Sequence, residues 1–160
     1  MLKPLLRKLA SSPICRSLTE SEIETIFAIA EERHVPKGTY VFEEGQPAEV
    51  LMVIAMGRVE ITRQKRVLAT PGIGDVLGEL SLFSYTHKRS ASARALTDVT
   101  VLSVSSVRFR KLVEADNLAA LKVVNNLAHQ MSDRVLALTD MVLAASEKKD
   151  LIAVRGRLTW

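Results

Sequence analysis

The first regular pattern of apolar and polar positions along the chain predicts a helix. Thr19 can cap it, and Glu22 three residues later completes a capping box. Apolar residues then recur at helical spacing as far as Ala30. Pro36 cannot continue a helix, so we expect this one to end near Arg33.

Short segments rich in β-branched residues follow, each bounded by turn residues. The predicted strands are residues 39–42, 50–55, 59–62, 67–69, 93–96 and 99–104. Residues 63–65 have the composition of a tight hairpin, and residues 79–83 can form one helical turn. Strands this short at this spacing predict an antiparallel sandwich or barrel, and the absence of a βαβ rhythm excludes a parallel sheet.

The last third of the chain returns to helical spacing. Ser105 and Ser106 can cap a helix that ends near Glu114, and a helix of roughly 28 residues can begin near Asn117. Its apolar residues step by three and four positions: Val124, Leu127, Met131, Val135, Leu138, Val142 and Ala145. Two interpretations stay open, because this stripe can pack on the strand domain or form a two-stranded dimer contact. We favour the dimer.

Composition narrows the class of protein. With 160 residues, 48% of them hydrophobic and 25% charged, the chain fits one globular domain rather than a disordered segment. The lone Cys15 excludes an internal disulfide framework and fits a reducing compartment. No apolar run approaches the roughly 18 residues of a membrane span. His34, His87 and His129 are far apart in sequence, so we predict no metal site.

The net charge of +4 is confined to the start of the chain. Residues 1–18 hold four basic side chains and no acid, whereas residues 19–160 are electrically balanced. A pI of 9.4 therefore does not indicate a nucleic-acid-binding face on the body of the protein.

Candidate chemistry is concentrated in residues 78–91. Gly78 permits close backbone approach, and a helical turn after it would present N–H groups that favour an anion. Arg89 and Ser90 can bind a phosphate, while the Glu79 carboxylate can accept from a sugar hydroxyl. The spacing indicates a small ligand with a ribose and a phosphate. A Glu79–Arg89 salt bridge beside a plain turn is the alternative.

The same segment resembles the phosphate-binding cassette of cyclic nucleotide-binding domains, most closely that of the bacterial catabolite activator branch. The motif G-E-L lies at residues 78–80 and R-S-A at residues 89–91. Glycines fall where the β-roll of that family has its turns: Gly38, Gly45, Gly57 and Gly74. The resemblance covers about residues 18–140.

This resemblance implies a mainly β fold with flanking helices, an antiparallel jelly-roll β-barrel followed by a long C-terminal helix. The expected organisation is a basic N-terminal arm, a helix plus β-roll, a lid and dimerisation helix, and a tail, at residues 1–18, 19–116, 117–147 and 148–160.

Site roles also follow from the resemblance. Arg89 would neutralise a phosphate oxygen, and Glu79 would accept from the ribose 2′-OH. Gly78 and Leu80 would contribute backbone groups, and Ser90 would contact the phosphate or the base edge.

Three further residues complete the expected ligand-binding set. Ala91 closes the second motif, and Leu138 and Thr139 lie where the family contacts the purine. Leu138 departs from the hydroxyl-bearing residue that is typical of that branch.

The function expected from this site is a cytoplasmic cyclic nucleotide sensor, with cAMP favoured over cGMP because Ser90 stands where cGMP sites more often have Thr. No nucleophile–base constellation is present, so we predict no enzyme activity and no cofactor. Expected partners are a second copy bound through the 117–147 helix and a downstream protein. Neither a membrane nor specific DNA is an expected partner. The alternatives are a degenerate β-roll that serves as a scaffold, or the excised sensor half of a transcription regulator.

Overall fold

The computed structural model describes residues 6, 9–84 and 86–147, and most of its regular structure is antiparallel. The strands are β1 (Ala30–Val35), β2 (Tyr40–Phe42), β3 (Val50–Met56), β4 (Val59–Arg63), β5 (Arg66–Ala69), β6 (Val76–Leu77), β7 (Ser92–Ala95) and β8 (Val99–Ser105). The helices are α1 (Glu20–Phe27), α2 (Leu80–Phe83), α3 (Ser106–Glu114) and α4 (Leu118–Glu147), and a short 3-10 helix spans Pro13–Cys15.

The strands form two four-stranded sheets, one in the order β1-β8-β3-β6 and the other in the order β2-β7-β4-β5. The predicted mainly β, antiparallel fold with flanking helices is confirmed. The sheets are not closed into a barrel, which corrects that part of the prediction. Within the described residues, no strand of one sheet pairs with a strand of the other, so each sheet keeps two edges.

The two sheets share one apolar core. Its buried members come from both sheets: Val35, Val41, Met52, Ile54, Val59, Leu77, Ala93, Ala95, Val99 and Val101. Phe42, Val50 and Ile61 are only partly buried against it. Buried and less buried positions alternate along β7, whereas β3 and β8 are buried at most positions on both faces.

The predicted end of the first helix was wrong. α1 ends at Phe27, and the residues expected to finish it form β1, which pairs with β8 from Ala30↔Val104 to Val35↔Val99. The polar composition of β1 does not indicate a strand. Its hydrogen-bonded pairing with the buried strand β8 outweighs the weak local preference of its residues. β6 was also missed, because its two residues lie beside a predicted turn.

α4 has 30 residues, close to the predicted length. It contributes to both of the compact units into which the chain divides, residues 1–126 and 127–160. In the first unit, Ala120 and Val123 are fully buried. In the second, none of the side chains from 128 to 145 is buried. The predicted tail, residues 148–160, lies outside the described residues.

The described part of the expected N-terminal arm packs within the first unit. Leu9, Ile14 and Cys15 are buried, and burial raises the pKa of the Cys15 thiol to about 11. The amide Nδ2 of Asn126 donates to the carbonyl oxygens of Ile14, at 2.9 Å, and Arg16, at 2.8 Å. No described helix has the length and apolar content needed to cross a membrane.

Candidate anion-binding site

Gly78 connects β6 to the residues that lead into α2, and its geometry requires glycine. Its φ of 72° lies in the left-handed region. A Cβ atom at this position would collide with Nη1 of Arg89, and would lie 3.2 Å from the carbonyl oxygen of Val50. The missing side chain therefore makes room for the Arg89 guanidinium.

The side chain of Arg89 is buried, with 6% of its surface exposed. Its Nη2 donates to the carbonyl oxygen of Val50 at 3.0 Å, and its Cζ lies 4.3 Å from the ring centroid of Phe42. Nε and Nη1 are buried without a hydrogen-bond partner. A buried guanidinium with two unmatched donors is costly in a fold and marks a place where an anion would be bound.

Backbone hydrogen bonds hold the segment that carries Arg89. The amide of Arg89 donates to the carbonyl of Gln46 at 2.8 Å, and the carbonyl of Arg89 accepts from the amide of Gly45 at 2.9 Å. Two residues before Arg89, the carbonyl of His87 accepts from the amide of Ala48 at 2.8 Å. The turn between β2 and β3 therefore fixes the backbone from which the guanidinium projects.

The electrostatic surroundings of Arg89 favour a negative ligand. Burial lowers the pKa of Arg89, the positive charge of Arg33 acts in the same direction, and the Glu79 carboxylate opposes them. Arg33 lies two residues before buried Val35 on β1 and so on the same face of the strand, although its own side chain is exposed. The positive charges of Arg33 and Arg89 and the negative charge of Glu79 therefore lie close enough to interact.

The structure brings the two predicted motifs together in the first unit. Gly78 adjoins the Arg89 side chain, Glu79 is half-buried, and Leu80 begins α2. Ser90 is exposed and Ala91 is half-buried, directly after Arg89. Nε and Nη1 of Arg89 make no hydrogen bond to Glu79 or to any other described residue.

Leu138 and Thr139 lie on α4, in the second unit. Leu138 is 59% exposed. Thr139 is half-buried, and its hydroxyl donates to the carbonyl of Val135 at 2.9 Å within the helix. The hydroxyl oxygen keeps acceptor capacity.

Sequence reasoning missed three residues that shape the site. The Phe42 ring could have been suspected, because it is an aromatic residue at the end of a predicted strand. Val50 acts through its carbonyl, which no side-chain pattern reveals. Arg33 was assigned to the end of a helix, so its place on β1 and its electrostatic effect on Arg89 were not predicted.

A separate groove of about 410 Å³ lies on the second sheet, lined by Tyr40, Glu44, Glu60, Thr62, Gln64, Lys65, Ser92 and Arg94. It contains none of the predicted site residues. Arg94, exposed there, donates from Nε to the carbonyl of Gly38 at 2.8 Å. Among the described residues, no group of three His, Cys, Asp or Glu side chains could hold a metal ion.

Comparison with known proteins identifies the family of this chain. Residues 32–116 match the family described as cyclic nucleotide-binding domain. A cyclic AMP receptor protein from Thermus thermophilus is 29% identical over 147 residues, which cover 89% of this chain and 67% of that protein. Uncharacterised NTE family proteins of Mycobacterium tuberculosis and Mycobacterium bovis are 28% identical over 124 residues, or 77% of this chain. The match spans only 21% of their length.

Two solved structures are similar to this chain. The catabolite activator protein of Thermus thermophilus has a TM-score of 0.68 at 28% identity, covering 81% of this chain and 63% of that one. The N-terminal domain of a transcriptional regulator from Streptomyces coelicolor has a TM-score of 0.68 at 25% identity, covering 79% of this chain and 93% of that one.

Proposed function

Because the chain belongs to the cyclic nucleotide-binding domain family, we propose that it is a regulatory module that binds a cyclic nucleotide, cAMP in the first place. The observation that carries this proposal is the buried guanidinium of Arg89, whose Nε and Nη1 have no partner. A cyclic phosphate supplies the negative charge and the acceptor oxygens that these donors lack. The module has no catalytic activity of its own.

Each predicted residue has a role in this binding. Arg89 donates to the phosphate, and Glu79 accepts from the ribose 2′-OH. Gly78 and Leu80 contribute backbone groups. Ser90 contacts the phosphate or the base edge. Its hydroxyl, together with the similarity to a cyclic AMP receptor protein of Thermus thermophilus, supports cAMP over cGMP.

The remaining ligand contacts belong to Ala91, beside the phosphate, and to Leu138 and Thr139 of α4, at the purine. Through α4 the module passes ligand occupancy to a second copy of the chain or to a downstream protein. The ligand does so by its differential affinity for two conformations of the protein. A cytoplasmic location and the lack of specific DNA binding stay predictions.

Calorimetric titration of cAMP into wild-type protein and the variant Arg89→Ala tests the proposal. Loss of a charged hydrogen-bond donor costs about 1.5–3 kcal/mol, so we expect affinity to fall roughly tenfold to a hundredfold. Arg94→Ala removes an exposed arginine from a neighbouring strand position and should leave affinity unchanged. Equal affinity in Arg89→Ala and wild type would overturn the assigned phosphate contact.

A thermal-shift panel of cAMP, cGMP and cyclic dinucleotides identifies the base. A ligand at about 100 times its dissociation constant stabilises the folded protein by about 2.7 kcal/mol. The largest shift with cAMP is the expected result. If none of these ligands raises the melting temperature, the proposed sensor function is wrong and the scaffold alternative is favoured.

A further inference from the structure

A hydrogen-bonded link joins α2, the short helix that follows the Gly78–Glu79 motif, to α3. The Ser106 hydroxyl donates to the Ser81 hydroxyl at 3.0 Å, and both residues are buried. From α3, Nη2 of Arg110 donates to the carbonyl oxygens of Ser81, at 3.4 Å, and Leu82, at 3.2 Å.

The shortness of α2 explains why it needs this link. A helix of four residues leaves most of its carbonyls without an intrahelical donor. The guanidinium of Arg110 supplies donors at that end, where a positive charge is also favourable. The Ser81–Ser106 pair is buried, so removing one hydroxyl leaves the other without its partner. The position of α2 therefore depends on α3.

The link stands between the candidate site and α4. On one side, α2 begins one residue after Glu79. On the other, α3 ends at Glu114, and the Asn117 side chain accepts from the Ala120 amide at 3.1 Å at the start of α4. Along the chain, β7 and β8 separate α2 from α3, so the link joins elements that are distant in sequence.

We propose that Ser81, Ser106 and Arg110 are positioning residues that couple the ligand-binding segment to α3 and thereby to the start of α4. This inference rests on the proposed function and names the contacts through which occupancy is transmitted. None of the three residues is required to touch the ligand. Their loss should therefore uncouple α3 from the site more than it weakens binding.

Amide hydrogen exchange of the full chain, with and without saturating cAMP, measures this coupling. In wild type we expect the ligand to slow exchange in residues 78–91 and to change it in residues 106–114. In Arg110→Gln and, separately, Ser106→Ala, protection of residues 78–91 should persist. The ligand-dependent change in residues 106–114 should shrink roughly tenfold in Arg110→Gln, the fold-change expected from loss of a charged hydrogen bond.

Arg108→Gln is the matched control, because Arg108 lies on the same helix but pairs with Glu31, at 3.5 Å, rather than with α2. It should behave like wild type, and Arg110→Lys should restore part of the coupling. A purely structural role would lower the melting temperature of the Arg110 and Ser106 variants and leave the ligand-dependent change in residues 106–114 intact.

The two proposals fail in different ways. Protection of residues 78–91 in wild type without any change in residues 106–114 would overturn the coupling inference alone. The same holds if the change persists in both Ser106→Ala and Arg110→Gln. Absence of protection at residues 78–91 with every nucleotide tested would overturn the proposed function, and the inference with it.

Discussion

At the scale of single residues, the candidate site depends on a glycine and an arginine that share one space. Gly78 has no side chain where the Nη1 atom of Arg89 lies, and Val50 and Phe42 hold the guanidinium there from two other sides. Substitution of either residue should therefore change ligand binding through the other.

The variant Gly78→Ala tests this dependence. The added Cβ would push Nη1 of Arg89 from its position, and we expect cAMP affinity to fall roughly tenfold or more. The left-handed backbone also costs about 1–2 kcal/mol of stability for alanine. Gly38→Ala is the control, because its φ of 84° imposes the same strain while the nearest atom, Nη2 of Arg94, lies 3.9 Å from the new Cβ. Titration calorimetry giving equal affinities for the two variants would contradict the shared-space argument.

Arg33 should contribute a weaker, long-range attraction. Its charge helps lower the pKa of Arg89, so Arg33→Gln should raise that pKa and reduce the attraction for an anion. Since Arg33 is exposed, we expect a loss of cAMP affinity of roughly twofold to fivefold. Titrations at low and high salt should show the loss shrinking as salt screens it. A loss independent of salt, or one shared by Arg94→Gln, would argue against an electrostatic role.

At the scale of elements, α1 is fixed at both its start and its side. The Thr19 amide donates to Oε2 of Glu22 at 2.7 Å, and the Glu22 amide donates to Oγ1 of Thr19 at 3.2 Å. Lys122 of α4 donates to both carboxylate oxygens of Glu22, each at 2.8 Å. The capping box was predicted from the sequence, whereas the ion pair between residues a hundred positions apart required the fold.

This ion pair predicts a pH-dependent stability. The hydrogen bond from Lys122 lowers the pKa of Glu22 from its ordinary 4.5, followed by that from the Thr19 amide. The charged Glu22 therefore stabilises the fold above pH 4.5, and this contribution is lost as the pH falls through the lowered pKa. Glu22→Gln keeps the capping acceptor but loses the charge.

Thermal unfolding across this pH range gives the measurement. Wild type should melt higher than Glu22→Gln at neutral pH, and the two curves should converge in acid. Glu24→Gln, on the exposed side of α1, removes an equal charge without the Lys122 contact. A difference between wild type and Glu22→Gln that is constant with pH would refute the ion-pair contribution.

Local patterns predicted the elements whose signals are local. The hairpin at residues 63–65 was predicted from composition, and Gln64 and Lys65 indeed have the positive φ values, 49° and 64°, of a tight turn. β1 and β6 were missed because their pairing partners, β8 and β3, supply the structure that their own residues do not indicate. In the site, side-chain motifs identified Arg89 and Gly78, but the contribution of the Val50 carbonyl could only be seen in the fold.

At the scale of the whole molecule, the described part of the second unit is a helix that is rich in apolar side chains. None of its side chains from residue 128 to residue 145 is buried. Among the described residues of this unit, five large apolar side chains of α4 are more than half exposed: Val135, Leu136, Leu138, Met141 and Leu143. Val142 and Ala145, which continue the predicted stripe, are half-buried. Such a helix is typical of an interface, and the stripe fits a second copy of the same helix.

A charge in the stripe should therefore separate the copies. We expect wild type to sediment as a dimer, and Val142→Asp to weaken that dimer roughly a hundredfold, because a carboxylate would be buried without a partner. Ala144→Asp, on the side of α4 that carries Asp133 and Asp140, should remain dimeric. Sedimentation velocity that shows wild type as a monomer at high concentration would rule out the interface.

The unpaired donors of Arg89 affect both the stability of the folded domain and its capacity to bind a ligand. An apolar side chain at this position would make the folded state more stable than does a guanidinium whose Nε and Nη1 are unpaired. The two unpaired donors therefore cost the fold stability. The anion that we propose would accept from these donors, so the same contact would serve recognition and stabilise the fold.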